Sequence, residues 1–339
     1  MEQKLSLKKN KEPSDCPAPL EISCLKEDSF LPLVITQNAC AAEVISFKDL
    51  LVWIKKHKPW LKNVLSTYGG LLFRGFPILT SEDFEDFVLA IDPNLTAYTQ
   101  GQSQRHRVKN LIYTSTEYPA DQNITLHNEL SYTDHPPGKI FFFCETPPLE
   151  GGETPIADCR TIYQRLNANL KEKFIANQVC YVKNMHGSAG FGKSWQDHFE
   201  TTNKDEVEAY LKQANVDFSW QEDGSLRTTQ TRSAVIQHPE TQESVWHSQA
   251  HLWHFSNYGA QGEMLLKVLG EARLPTNAYY GDGTPIPADV IQATNQAFWE
   301  EASFFDWQKG DLLMLDNLLV AHGRTSFTGP RRILVAMTD

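Results

Sequence analysis

Apolar positions along this chain change their period several times, and each change marks an element. From Ser46 onward, Phe47, Leu50, Leu51 and Ile54 fall on one helical face, Ser46 is suited to cap its start, and Pro59 limits the stretch. Gly69 and Gly70 break that pattern. Leu71, Leu72, Phe73 and Arg74 then read as a buried strand, and Thr80 or Ser81 caps a second helix with Phe84, Phe87, Val88 and Ile91 inward. Residues 98–124 are rich in Gln, Ser, Arg and Asn, which predicts a mobile loop feeding a strand over 125–130. The run KIFFFC at 139–144 is a continuous apolar strand, turned at Gly151 and Gly152. Helical spacing returns over 160–175 and 204–213, and 226–253 alternates like a hairpin around His238, Pro239, Glu240 and Thr241. From Gly310 to Met337 the pattern is strand, turn and strand, and no internal repeat is present.

Composition narrows the class. With 41% apolar and 22% charged residues, the 339-residue chain can bury a sizeable core. Lys and Arg total 31 against 42 Asp and Glu, a net charge of −11, and such a surface repels phosphate backbones and anionic lipid. Nucleic acid and membrane are therefore not expected partners. The six cysteines form no CxxC pair and read as reduced thiols. The polar N-terminus lacks a signal-peptide core and no apolar run approaches the roughly 20 residues of a membrane span, so the expected location is cytoplasmic. Residues 1–28 lack periodicity and read as a flexible tail, leaving 29–339 as one domain.

Candidate chemistry concentrates at two places. In an extended chain, His127 and Glu129 share a face, so an imidazole and a carboxylate converge from one strand. One more histidine would complete the two-histidine, one-carboxylate set that suits iron(II) and leaves positions open, and His322 is the candidate. Arg332 follows His322 shortly afterwards, and its guanidinium can grip a carboxylate through two parallel hydrogen bonds, which implies a dicarboxylate cosubstrate. Neighbouring strand residues face opposite ways, so only one of Arg331 and Arg332 is expected in the pocket. His-x-Glu alone is a common pair, and a catalytic zinc site of a hydrolase would use the same three ligands.

These motifs carry a resemblance. The stretch 113–120 (YTSTEYPA), His127-Asn128-Glu129, 151–158 (GGETPIAD) and the His322 to Arg332 ending together resemble the taurine-dioxygenase and clavaminate-synthase-like family of iron(II) and 2-oxoglutarate dependent oxygenases, over roughly residues 45–339. Within it they are most similar to the branch that includes the syringomycin-pathway aspartate hydroxylase. The resemblance implies a mainly β fold with flanking helices, a double-stranded β-helix (jelly roll) core. It implies His127, Glu129 and His322 as iron ligands, Arg332 on the distal 2-oxoglutarate carboxylate, Thr154 as a second donor to it, and dioxygen as the other cosubstrate. The taurine enzyme has Asp where this chain has Glu129. A carboxylate is nevertheless retained, which favours hydroxylation over halogenation. Thr154 and Arg332 are what a zinc hydrolase leaves unexplained.

Substrate signals are weaker. Arg105, His106, Arg107 and Lys109 form a basic cluster in an acidic chain, read either as a solvated loop or as the receiver of an anionic substrate group or of an acyl or peptidyl carrier protein, as the resemblance allows. Asn123, four residues before His127, shares its face by strand parity, and Gln249 stands in an aromatic and histidine-rich stretch; both are substrate-binding candidates. His247, His251 and His254 of that stretch have no nearby carboxylate and read as hydrogen-bonded or surface histidines. The expected activity is hydroxylation of an unactivated C–H bond of an amino acid or its derivative, free or carrier-tethered, in specialised metabolism, with desaturation or cyclisation as alternatives on the same scaffold.

Overall fold

The computed structural model describes residues 16–26, 29–38, 44–97, 107–115 and 118–339. Its framework is an eight-stranded sheet facing a three-stranded one in a jelly-roll sandwich. In the large sheet the strands run in the spatial order Leu20–Lys26, Ser29–Gln37, Gly70–Phe73, Leu312–Asp316, Lys139–Thr146, Arg332–Thr338, Ile112–Thr114 and Arg107–Lys109. The small sheet has Val320–Arg324 at its centre, between Ile124–His127 and Ile156–Asp158.

The continuous apolar runs are explained by burial on both faces of the large sheet. Phe142, Leu313, Leu315, Ile333, Val335 and Met337 pack toward the small sheet, where Leu126, Ile156 and Val320 meet them. The alternate residues Phe141, Phe143, Leu312, Met314, Leu334 and Ala336 pack against Leu50, Trp53, Ile54, Leu61, Phe84 and Phe87 of three helices on the outer face. A strand with two dry faces has no polar alternation to show, so it reads as a solid block in the sequence.

Those helices are Phe47–Lys56, Lys58–Tyr68 and Ser81–Ile91. Ser46 caps the first by accepting from the Asp49 amide, and Thr80 closes a capping box with Asp83 on the third. Pro59 does more than end the first helix: it stands at the start of the second, where a missing N–H costs nothing.

Two expectations are corrected here. Leu20–Lys26, assigned to a tail ending at residue 28, pairs antiparallel with Ser29–Gln37 as the edge of the large sheet. The polar stretch read as a loop contributes Arg107–Lys109 and Ile112–Thr114, which extend the opposite edge through pairing with Arg332–Thr338. A second layer, the four-stranded sheet of Asp217–Trp220, Leu226–Arg232, Val179–Met185 and Thr276–Tyr280, lies between the two halves of the jelly roll in sequence. The expected hairpin is formed by Val235–Gln237 and Ser244–Trp246. Among the described residues no helix is long and apolar enough to cross a membrane.

Candidate metal and cosubstrate site

His127 and His322 stand directly opposite each other on paired strands of the small sheet, with ring centroids 4.7 Å apart. Gly323 makes that pairing close, because a Cβ there would lie 2.6 Å from the Ile124 carbonyl oxygen. Glu129 completes a group whose ligand atoms all lie within 4.8 Å of one another. Its Oε2 is 3.8 Å from Nε2 of His322, and Glu129 and His322 are both buried.

Glu129 does not reach this place as the sequence suggests. The strand ends at His127, and Glu129 lies in a turn whose next residue, Leu130, has φ of 55°. The turn is fixed by Asn317, whose Oδ1 accepts from the Glu129 amide at 2.7 Å and whose Nδ2 donates to the Glu129 and Pro137 carbonyls at 2.9 and 2.8 Å. Asn128 returns a bond to the Asn317 carbonyl at 2.7 Å. On the other side, Nδ1 of His127 lies 2.8 Å from the Thr125 carbonyl oxygen. A carbonyl only accepts, so this nitrogen carries the proton and Nε2 keeps the lone pair that a metal needs. The donor set, two imidazoles and a carboxylate on rigid supports, fits iron(II).

Both histidines line a cavity with Thr154, Ser115, Arg324 and Arg331, with Phe142 also in its wall. Thr154 is buried and accepts from Nε1 of Trp307 at 3.1 Å, which leaves its own hydroxyl proton to donate into the cavity. Arg331 donates from Nε to the Gly152 carbonyl at 3.0 Å. Gly152 has φ of +70°, and a Cβ on it would crowd Arg331 Cδ at 3.1 Å, so the Gly-Gly turn both seats and orients this arginine. Among the described residues no carboxylate forms an ion pair with Arg331. Burial lowers its guanidinium to about 10, with Arg324 contributing next, so it remains a cation at neutral pH.

Arg332, the arginine chosen from sequence, is corrected: it is exposed and pairs with Glu145 at 2.7 Å, outside the cavity. Arg331 has the same parity as the inward Ile333 and Val335. Both faces of this strand are apolar, so its pattern does not say which arginine turns inward. Arg324, two residues after His322, was also missed. Its guanidinium donates to the carbonyls of Tyr118, Pro119 and Gln122 at 3.0, 2.6 and 2.9 Å and so fixes that loop against the cavity.

Of the proposed substrate residues, neither Asn123 nor Gln249 lines this cavity. Asn123 is exposed and accepts from the Ser326 amide at 2.7 Å. Gln249 is buried, and its side-chain amide donates to the Asn128 carbonyl, so it braces the turn between His127 and Glu129. Arg107 opens an edge strand, and Arg105 lies outside the described residues. His247, His251 and His254 are not surface residues: all three are buried, and burial pushes each imidazole down to about 4. His251 also donates from Nε2 to the Leu126 carbonyl at 2.8 Å, and its ring stacks on Phe298.

The sequence profile of the taurine catabolism dioxygenase TauD, TfdA family matches residues 32–338. The dapdiamide synthesis protein DdaC of Enterobacter agglomerans is 38% identical over 284 residues, covering 84% of this chain and 85% of that protein. A clavaminate synthase-like protein of Arabidopsis thaliana is 31% identical over 320 residues, covering 92% and 94%. Of solved structures, PvcB from Pseudomonas aeruginosa superposes with a TM-score of 0.55 at 15% identity, covering 97% of this chain and 93% of PvcB. AAD-2 in complex with Mn(II) and N-oxalylglycine gives 0.53 at 17% identity, covering 94% and 96%. At such identities the structural likeness speaks for a common fold.

Proposed function

Since the chain belongs to the TauD, TfdA family of dioxygenases and is an oxygenase that uses iron(II), 2-oxoglutarate and dioxygen on a small-molecule substrate, we propose that His127, Glu129 and His322 hold its iron and that Arg331 and Thr154 bind the distal carboxylate of 2-oxoglutarate. The observation that carries this reading is one cavity lined by both histidines, the Thr154 hydroxyl and a half-buried arginine that no carboxylate among the described residues pairs with. When bound, iron and cosubstrate supply oxidative decarboxylation to succinate coupled to oxidation of a substrate C–H bond.

The chain supplies geometry and a dry enclosure. His127 and His322 present their rings from paired strands, and Asn317 and Gln249 keep the Glu129 turn from drifting. Arg331 offers a dicarboxylate a cation at that end of the cavity, where Arg324 turns its two terminal nitrogens to backbone carbonyls. This cosubstrate site supports the oxygenase over the zinc hydrolase, which has no use for it.

For the substrate, we infer an amino acid or amino-acid derivative hydroxylated at an unactivated carbon in a natural-product route. Support comes from the relative whose name places it in dapdiamide synthesis, and from retention of the Glu129 carboxylate. The substrate arrives either free or on a carrier protein. The five described cysteines are free thiols, which suits a cytoplasmic setting.

The test has two stages. Anaerobic addition of iron(II) and 2-oxoglutarate should give the weak visible charge-transfer band of bidentate chelation, which zinc cannot give. Succinate formation is then followed with free amino acids and aminoacyl-carrier conjugates side by side. Absence of the band, with no substrate-stimulated succinate, would overturn the assignment.

A further inference from the structure

The four-stranded sheet carries a second polar cavity. Tyr181, Lys183 and Met185 alternate on one face of Val179–Met185, and Thr228 and Gln230 stand directly opposite Lys183 and Tyr181 on the neighbouring strand. His198 of the helix Trp195–Phe199, Tyr210 of the helix Lys204–Gln213 and Tyr132 close over them. Around this group the packing is apolar, with Met185, Trp195, Val207, Leu211, Val216 and Leu226 forming a satellite core.

Lys183 is out of place there. Its Nζ lies 3.4 Å from Nδ1 of His198, and no carboxylate among the described residues pairs with it. Lys193, the next cation, opposes it, and Lys193 has Asp197 and Glu200 for its own company. Burial first, and Lys193 second, push the Lys183 ammonium down to about 7, while burial holds His198 well below its usual value. An enclosed ammonium beside a neutral imidazole lacks a counter-charge, and desolvation without one is expensive. The remaining donors point to what is missing: Thr228 has its hydroxyl, and Gln230, whose Oε1 accepts from Arg232 at 3.2 Å, keeps its amide N–H groups.

We propose that this cavity is a binding site for a small carboxylate, held by the Lys183 ammonium with Thr228 and Gln230 as hydrogen-bond donors. The aromatic wall shields the pair from water, so a bound carboxylate and ammonium interact far more strongly than on the surface. The wall also connects to the metal site. The Tyr181 hydroxyl accepts from the Gln249 amide at 2.9 Å, and the Gln249 side chain braces the turn of Glu129. Tyr132 follows that turn and packs edge-on against Trp253 at 4.8 Å.

The readout is the Lys183 side chain itself, followed by NMR of the full chain isotopically labelled at lysine. Zinc(II) serves as the diamagnetic metal, and the resonance is assigned by its loss in Lys183→Arg. Sodium acetate and sodium chloride are compared at equal ionic strength. A bound carboxylate favours the charged amine, so acetate should raise the titration midpoint saturably by a unit or more while chloride leaves it near its starting value. In Thr228→Val the acetate needed for half that rise should increase several-fold, with the midpoint in chloride unchanged. An acetate series without any rise, an equal rise in chloride, or an unaltered acetate response in Thr228→Val would each overturn the carboxylate site. Because the signal belongs to Lys183, acetate entering the Arg331 cavity does not imitate it.

Discussion

Asn317 binds Glu129 through both of its backbone polar groups, accepting from the amide at 2.7 Å and donating to the carbonyl at 2.9 Å. A single side chain from the turn after Leu312–Asp316 thus imposes the conformation of a residue 188 positions away in sequence. Asn317→Ala would strand a buried amide and two buried carbonyls, each worth about 1–3 kcal/mol when unsatisfied. The variant should melt at lower temperature and bind iron(II) at least ten-fold more weakly. Calorimetry and anaerobic metal titration check both effects, and unchanged iron affinity would mean that the Glu129 turn holds itself.

The ligand set makes a sharper prediction. His127→Ala and His322→Ala should each lose most bound iron and all turnover. The fold should persist, because the rings line a cavity and Leu126, Ile156 and Val320 supply the packing between the sheets. Elemental analysis alongside circular dichroism separates the outcomes. Normal iron content and activity in either variant would remove that histidine from the site.

The two adjacent arginines should behave very differently. Removing Arg331 takes away the cavity's cation for a cosubstrate carboxylate, a loss on the order of 3–5 kcal/mol, so Arg331→Ala should raise the 2-oxoglutarate requirement more than a hundred-fold. Arg332 is exposed and pairs with Glu145. Such a pair is worth about 0–1 kcal/mol, so Arg332→Ala should leave that requirement unchanged. The reverse pattern in succinate-formation kinetics would restore Arg332 to the role its sequence position suggests.

Where the sequence was legible, the local chemistry was self-contained. Ser46 and Thr80 announce helix starts because a cap needs only its own next three residues. His127, Glu129 and His322 could be named because several ordered motifs together carry the family resemblance that implies them, although the convergence depends on Asn317, whose type gives no sign of it. The choice between Arg331 and Arg332 depended on which face of a doubly buried strand meets the small sheet, and a strand apolar on every position does not say. Arg107–Lys109 and Ile112–Thr114 were lost for the opposite reason: each has three residues, and pairing with Arg332–Thr338, distant in sequence, is what joins them to the sheet. Gln249 drew attention through its aromatic company, but the same burial that made the stretch distinctive turned its amide onto the Asn128 backbone.

The buried histidines predict how acid unfolds the protein. Burial alone pushes His247 down to about 4, and its Nε2 has no hydrogen-bond partner. In the unfolded chain the same ring takes a proton near pH 6.5. Its folded value is depressed, so between about pH 6.5 and pH 4 the unfolded state holds more protons, and stability falls as pH falls through that window. The loss amounts to on the order of 3 kcal/mol for this one group. Replacing the ring with a side chain that never charges removes the loss. Nε2 makes no bond to forfeit, so His247→Leu should stay within about 1.5 kcal/mol of the parent at pH 7. Urea unfolding of both metal-free proteins at pH 7, 6, 5 and 4.5 should therefore give stabilities that converge or cross as acid is added, with the variant the less sensitive. Parallel lines across the series would show that His247 is protonated in the folded state and that its burial does not keep it neutral.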